Sequence, residues 1–182
     1  LAVGRLNVQK DYPNLLTAFS TLPSELSGVQ LAIIGTGEEQ TKIETLASQL
    51  GLTHRLHFLG LQRNVHEWMS AADLFVLSSA WEGFGLVVAE AMACERVVVA
   101  TDCGGVKEVL GECGILVPAE NSPALAKGLQ QGLALSADAA KAQGAAAHAR
   151  IMAHYSLSAQ AAKWLGLYQG ENWSDNKSKC SL

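Results

Sequence analysis

Glu82 and Glu90 flank a Gly83-Phe84-Gly85 turn and the apolar stretch after it, with seven residues between the two carboxylates. An all-apolar run ending at Leu77 precedes the turn and reads as a buried parallel strand. The glycine-free run from Leu86 to Cys94 reads as a helix. Strand, glycine turn and helix together aim unpaired backbone N–H groups and the positive end of a helix dipole at an anion. Eight residues at helical rise span roughly 12 Å, so the two acids can serve opposite ends of an extended ligand with phosphate between them. Carboxylates are poor partners for phosphate and good acceptors for sugar hydroxyls. The arrangement therefore points to a nucleotide diphosphate with a sugar at each end, the N–H groups around Gly83, Gly85 and Leu86 facing phosphates or sugar, and Phe84 serving as a packing residue.

Arg5 and Lys10 lie just past the carboxyl end of a first short strand, the edge where open α/β sheets bind ligands. Two cations there suit a diphosphate and stabilise the charge that grows as a nucleotide diphosphate departs; the competing reading is a solvated surface pair. Gly35-Thr36-Gly37 invites a dinucleotide-fold reading, but Gln40 stands where the third glycine of Gly-x-Gly-x-x-Gly belongs, and the motif follows the second strand. A tight turn lining the site is the better reading. Cys94, Cys103, Cys113 and Cys180 show no Cys-x-x-Cys spacing, so free thiols are expected and no metal is assigned. None of the five histidines neighbours a candidate nucleophile, so structural or surface roles are expected.

The elements that must position these groups alternate strand and helix. Strands are expected at Ala2–Gly4, Val29–Ile34, Leu56–Leu59, Leu74–Leu77, Val97–Ala100 and Ile115–Val117. Helices are expected from Pro13 to Thr21, over Glu38–Leu50 with acidic residues in its first turn, over Asn64–Ala71, from Gly105 to Leu110, from a cap at Asn121 or Ser122 to Leu135, and over Ala137–His154 and Ser158–Tyr168. The fold class is α/β: a Rossmann-like parallel sheet flanked by helices on both faces. Residues 1–169 form one domain, and the Ser-, Asn- and Lys-rich residues 170–182 read as a disordered tail. Alanine is the best helix former, so helix outweighs low complexity around Ala134–Ala149.

Taken in order, the motifs resemble the donor-binding half of a family 4 (group 1) glycosyltransferase, a retaining enzyme of the two-domain GT-B type. They are Val3-Gly4-Arg5-Leu6 with Lys10-Asp11-Tyr12-Pro13-Asn14-Leu15-Leu16; Ile33-Ile34-Gly35-Thr36-Gly37; His57-Phe58-Leu59-Gly60; the two-glutamate segment; Val98-Val99-Ala100-Thr101-Asp102 with Gly104-Gly105 and Glu108; and Gly114-Ile115-Leu116-Val117-Pro118. The likeness covers about residues 1–168. It implies that Arg5 and Lys10 bind the donor phosphates and stabilise the leaving group. It implies that Glu90 accepts from the ribose hydroxyls. It implies further that Glu82 contacts the donor sugar and stabilises positive charge at the anomeric carbon, and that Leu61 and Gln62 lie in the base-holding loop. Read without the likeness, Glu82 is a turn residue favourable to a helix dipole and Glu90 an exposed helical acid, although its apolar neighbours lead one to expect a partner for its charge. Asp102 and Glu108 also fall in family-like positions, Asp102 equally readable as a loop or cap residue. The resemblance implies no cofactor and no essential metal, and no Asp-x-Asp motif occurs in the chain.

The resemblance also implies a sugar or lipid-linked acceptor held by an N-terminal acceptor domain absent from these residues. It implies bacterial surface polysaccharide or lipopolysaccharide synthesis, a cytoplasmic location at the inner face of the plasma membrane, and peripheral membrane association of the whole enzyme. The chain opens without Met, inside a strand-like run, so an N-terminal portion is expected to precede it and the fragment alone to bind donor weakly and transfer nothing. A net charge of −4 over 182 residues argues against a nucleic-acid binder, and no apolar run is long enough to span a bilayer. Three readings compete with transfer: a sugar-nucleotide epimerase of the same fold, a non-catalytic sugar-nucleotide module, and an NAD-dependent Rossmann enzyme, the last disfavoured by the broken glycine fingerprint.

Overall fold

The computed structural model describes residues 1–169, so the expected tail disorder and Cys180 lie outside the described residues. Six strands, β1 (Ala2–Val3), β2 (Leu31–Ile34), β3 (Leu56–Phe58), β4 (Leu74–Leu77), β5 (Val97–Asp102) and β6 (Ile115–Pro118), alternate with helices. The helices are α1 (Tyr12–Ser20), α2 (Gln40–Gln49), α3 (Val65–Ala71), α4 (Leu86–Ala93), α5 (Val106–Leu110), α6 (Ser122–Leu133), α7 (Ala137–His154) and α8 (Leu157–Tyr168). All strand pairs are parallel, in two three-stranded ladders, β1-β2-β3 and β4-β5-β6. Two hydrogen bonds join them: Val76 N–H donates to the Leu1 carbonyl (2.9 Å), and the Leu1 amine donates to the Leu74 carbonyl (2.8 Å). The order across the fold is β3-β2-β1-β4-β5-β6, and it reverses between β1 and β4. In such sheets the carboxyl-end crevice at that reversal holds the ligand. The single sheet expected from sequence is therefore two ladders meeting at a seam, because β1 is only two residues long.

The burial pattern has the strand period of two. In β4, Leu74 and Val76 enter one apolar cluster while Phe75 and Leu77 enter another; in β5, Val97 and Val99 separate from Val98 and Ala100 in the same way. The first cluster is closed by Leu15 and Leu16 of α1, Ile43 of α2 and Leu125 of α6. The second is closed by Met69 of α3, Val88 and Met92 of α4, Val109 of α5 and Ile151 of α7. Each fully buried large side chain contributes about 1.5–3 kcal/mol, so the sheet is held from both faces.

Local signals explain most boundaries. Asp11 caps α1, accepting from Asn14 N–H at 3.3 Å, and Pro13 sits in the first turn, where its missing N–H costs nothing. Asn121 and Ser136 cap α6 and α7 in the same manner. The start of α2 differs from expectation: Glu38 and Glu39 precede the helix, because Glu39 N–H is held by the Leu6 carbonyl (2.9 Å) and the helix begins at Gln40. Strand β5 runs two residues further than expected, since Thr101 and Asp102 pair with Val117 and Pro118.

Candidate functional site

The loop leaving β1 is laid flat over the loop leaving β2. Gly4 N–H donates to the Ile34 carbonyl and Leu6 N–H to the Thr36 carbonyl. This approach needs glycine: a Cβ on Gly35 (φ +137°) would stand 2.0 Å from the Gly4 oxygen, and one on Gly37 2.2 Å from the Leu6 oxygen. Gly35-Thr36-Gly37 is thus a backbone-contact turn beside the cleft. Tyr12 donates its hydroxyl to the Gly4 carbonyl at 3.1 Å, and burial pushes its phenol pKa up. The Lys10 stem lies along Gly4, where an added Cβ would come 3.0 Å from Lys10 Cε.

A second set of contacts ties this loop to the end of β4. Ser78 Oγ donates to the Lys10 carbonyl at 2.8 Å, Ala80 N–H to the Gln9 carbonyl at 2.9 Å, and Gln9 Nε2 to the Trp81 carbonyl at 3.1 Å. The two loops meet in an ion pair between Lys10 Nζ and Glu82 Oε1, residues 72 apart in sequence. The Lys10 and Glu82 side chains are only 16% and 9% exposed. Ser79, fully buried, donates its hydroxyl to the same Glu82 Oε1 at 2.7 Å.

The Gly83–Gly85 turn rests on Gly104-Gly105. Gly105 N–H donates to the Gly83 carbonyl at 2.9 Å, and Gly104 (φ +54°) passes so close that a Cβ there would lie 1.7 Å from the Glu82 oxygen. Gly85 (φ +80°) caps α4 through its backbone, and Val88 N–H takes its carbonyl. Among the described residues the N–H groups of Leu86 and Val87 make no hydrogen bond, as expected for a helix's first turn, which leaves α4 with two donors and its positive dipole end.

The remaining site residues from the sequence fall in two other places. Arg5 is exposed and pairs with Glu38 at 3.3 Å; it borders an open cavity of about 650 Å³ together with Gln62, Leu61 and the Gly35–Gly37 turn. Gln62 Nε2 donates to the Leu59 carbonyl at 2.7 Å, and its amide oxygen makes no hydrogen bond among the described residues. Glu90 lies on a different hollow, beside Leu86, Phe84, Tyr155 and Lys163. The charge partner expected for Glu90 is absent among the described residues: Val88, Ala91 and Met92 face the core, and Glu90 points outward into solvent. Phe84 packs edge-on against Tyr155 with ring centroids 5.4 Å apart, though it remains 40% exposed. Asp102 ends β5 with an exposed side chain, and Glu108 offers its carbonyl to Arg150 and Tyr155. Burial pushes the Cys103 thiol pKa up. Cys94, Cys103 and Cys113 are free, and no group of three His, Cys, Asp or Glu suited to a metal occurs among the described residues.

Sequence reasoning missed Ser78, Ser79 and Gln9. The available signal was a Ser-Ser pair directly after the all-apolar Leu74–Leu77, where a buried hydroxyl needs a partner at the carboxyl edge of the sheet.

A doubly wound parallel sheet with its cleft at the strand-order reversal and a glycine turn feeding α4 is the Rossmann-like half of a GT-B glycosyltransferase. The chain belongs to the glycosyl transferases group 1 family, whose model matches residues 1–150. A Campylobacter jejuni N-acetylgalactosaminyltransferase acting on a diphospho-undecaprenol-linked sugar is 33% identical over 133 residues, covering 71% of this chain and 36% of that protein. The structure of Anabaena Alr3699/HepE in complex with UDP-glucose superposes with a TM-score of 0.70 at 29% identity, over 84% of this chain and 43% of that one. The C-terminal domain of a group 1 glycosyl transferase (LpcC) from Francisella tularensis matches with a TM-score of 0.76 at 23% identity, covering 86% and 85% of the two chains, and shares the fold. The chain spans about a third of the length of the curated relatives it matches. No helix among the described residues is long and apolar enough to cross a membrane.

Proposed function

We propose that this chain binds the nucleotide diphosphate sugar of a retaining, metal-independent glycosyltransferase, which passes the glycosyl group to a hydroxyl of a sugar or lipid-linked acceptor. The observation that carries the reading is the Lys10–Glu82 ion pair, which puts a cation and a carboxylate side by side next to the amino end of α4. The diphosphate lies against the free amides of α4, with Lys10 on one side and Arg5 reaching it across the cleft. As the anomeric C–O bond breaks, negative charge moves onto the departing phosphate, and these three positive groups stabilise it in the role a divalent metal fills elsewhere. Glu82 faces the sugar and offsets the positive charge that develops at the anomeric carbon. Gln62 borders the base, and Glu90, exposed on α4 with no ion-pair partner among the described residues, is the acceptor left for the ribose hydroxyls.

The acceptor belongs to an N-terminal domain outside these residues, and the relatives' names point to assembly of bacterial surface polysaccharide. Calorimetry with UDP-, GDP- and ADP-sugars tests the proposal on this chain. One base class should give saturable, weak binding, and no transfer should follow on adding acceptor sugars. Absence of binding in all three series overturns the donor assignment, and turnover by the 182 residues alone overturns the division of labour between two domains.

A further inference from the structure

We propose that Ser79 is a positioning residue for Glu82, holding its carboxylate so that Oε2 is the oxygen turned to the donor sugar; the functional half of this inference rests on the donor-site reading above. Lys10 Nζ and Ser79 Oγ both contact Oε1. Oε2 makes no hydrogen bond among the described residues, and it is not a sealed buried atom either, since Asn14 Nδ2 is the only unpartnered side-chain polar atom fully shut away among them. Two donors converging on one oxygen fix the carboxylate plane about its last torsion, a broad and otherwise poorly defined rotor.

Ser79 is itself held. Its side chain is fully buried, and its carbonyl accepts from the buried Thr101 hydroxyl at 2.7 Å. The chain of contacts therefore runs from β5 through Ser79 to the carboxylate. Its neighbour Ser78 fastens the backbone of Lys10, so adjacent hydroxyls at the end of β4 set both partners of the ion pair.

A double-mutant cycle on the unliganded chain, followed by urea unfolding, tests the link without any donor. Ser79→Ala alone should raise the unfolding constant about tenfold or more, as expected for losing a hydrogen bond to a charged group. In a Glu82→Ala background the same substitution should change it less than about threefold, because the hydroxyl no longer has its acceptor. If the Glu82→Ala chain does not fold, Glu82→Gln replaces it, and the neutral acceptor should roughly halve the free-energy effect of Ser79→Ala. An undiminished effect in either background overturns the link. In calorimetry with the nucleotide sugar that wild type binds, Ser79→Ala should weaken affinity about tenfold, and no further in the Glu82→Ala chain. Wild-type affinity in Ser79→Ala overturns the positioning role. Failure of the wild-type chain to bind any nucleotide sugar overturns the donor-site reading instead, and the unliganded cycle still judges the Ser79–Glu82 link.

Discussion

Lys10→Ala is expected to weaken nucleotide-sugar binding by ten- to a hundredfold and to destabilise the unliganded chain by about 2–4 kcal/mol. The two effects have separate causes. A lost charge-assisted contact to a phosphate is worth about 1.5–3 kcal/mol. The stability loss comes from Glu82, whose side chain is 9% exposed and would be left without its cation; breaking a buried pair from one side costs about 3–5 kcal/mol, reduced here because neither group is sealed from water. A Lys10→Met, Glu82→Met double variant separates them. Replacing both charges with apolar groups of similar size should restore most of the stability, yet donor binding should stay lost. The exposed Arg5–Glu38 pair supplies the contrast, since surface pairs contribute about 0–1 kcal/mol. Arg5→Ala should therefore leave urea midpoints unchanged. Calorimetry and urea titration of these variants decide the matter. A Lys10→Ala chain that matches wild type in both removes the ion pair from the centre of the mechanism.

The elements that sequence defines well are those set by local chemistry. Leu74–Leu77 is an uninterrupted apolar run, and Ala137–His154 is an alanine-rich segment; both lie where apolar patterning and helix propensity place them. The family motifs likewise mark Lys10 and Glu82, but their contact depends on Ser78, Gln9 and Ala80 stitching two loops some seventy residues apart, and no local pattern reports that. Glu90 shows the opposite failure. Its apolar neighbours suggest a buried charge, yet at 100° per residue the core positions Val88, Ala91 and Met92 turn inward and leave Glu90 outside. The pairing of Arg5 with Glu38 was equally hidden, because it follows from Gly35 and Gly37 letting one loop lie on another. Long-range backbone contact thus decided what composition and spacing could not.

That principle has its most severe test at Gly104, where alanine should cost about 3 kcal/mol or more and lower Tm by about 10 °C. The left-handed backbone (φ +54°) alone accounts for about 1–2 kcal/mol. The rest is steric: the new Cβ would lie 1.7 Å from the Glu82 carbonyl oxygen, a backbone atom that no rotamer change can move. Relief requires shifting the 82–85 turn, which carries the Glu82 carboxylate and sets the entry to α4. Gly104→Ala should therefore damage donor binding even in the fraction that stays folded. Gly51 is the matching control, since it has φ +71° but no atom within 4 Å of the place a methyl group would take. Gly51→Ala carries the conformational penalty without the clash and should cost about 1–2 kcal/mol, with donor affinity intact. Thermal unfolding and calorimetry of the two variants separate strain from collision. Equal losses at both positions would mean that the Gly104-Gly105 segment does not hold the turn in place.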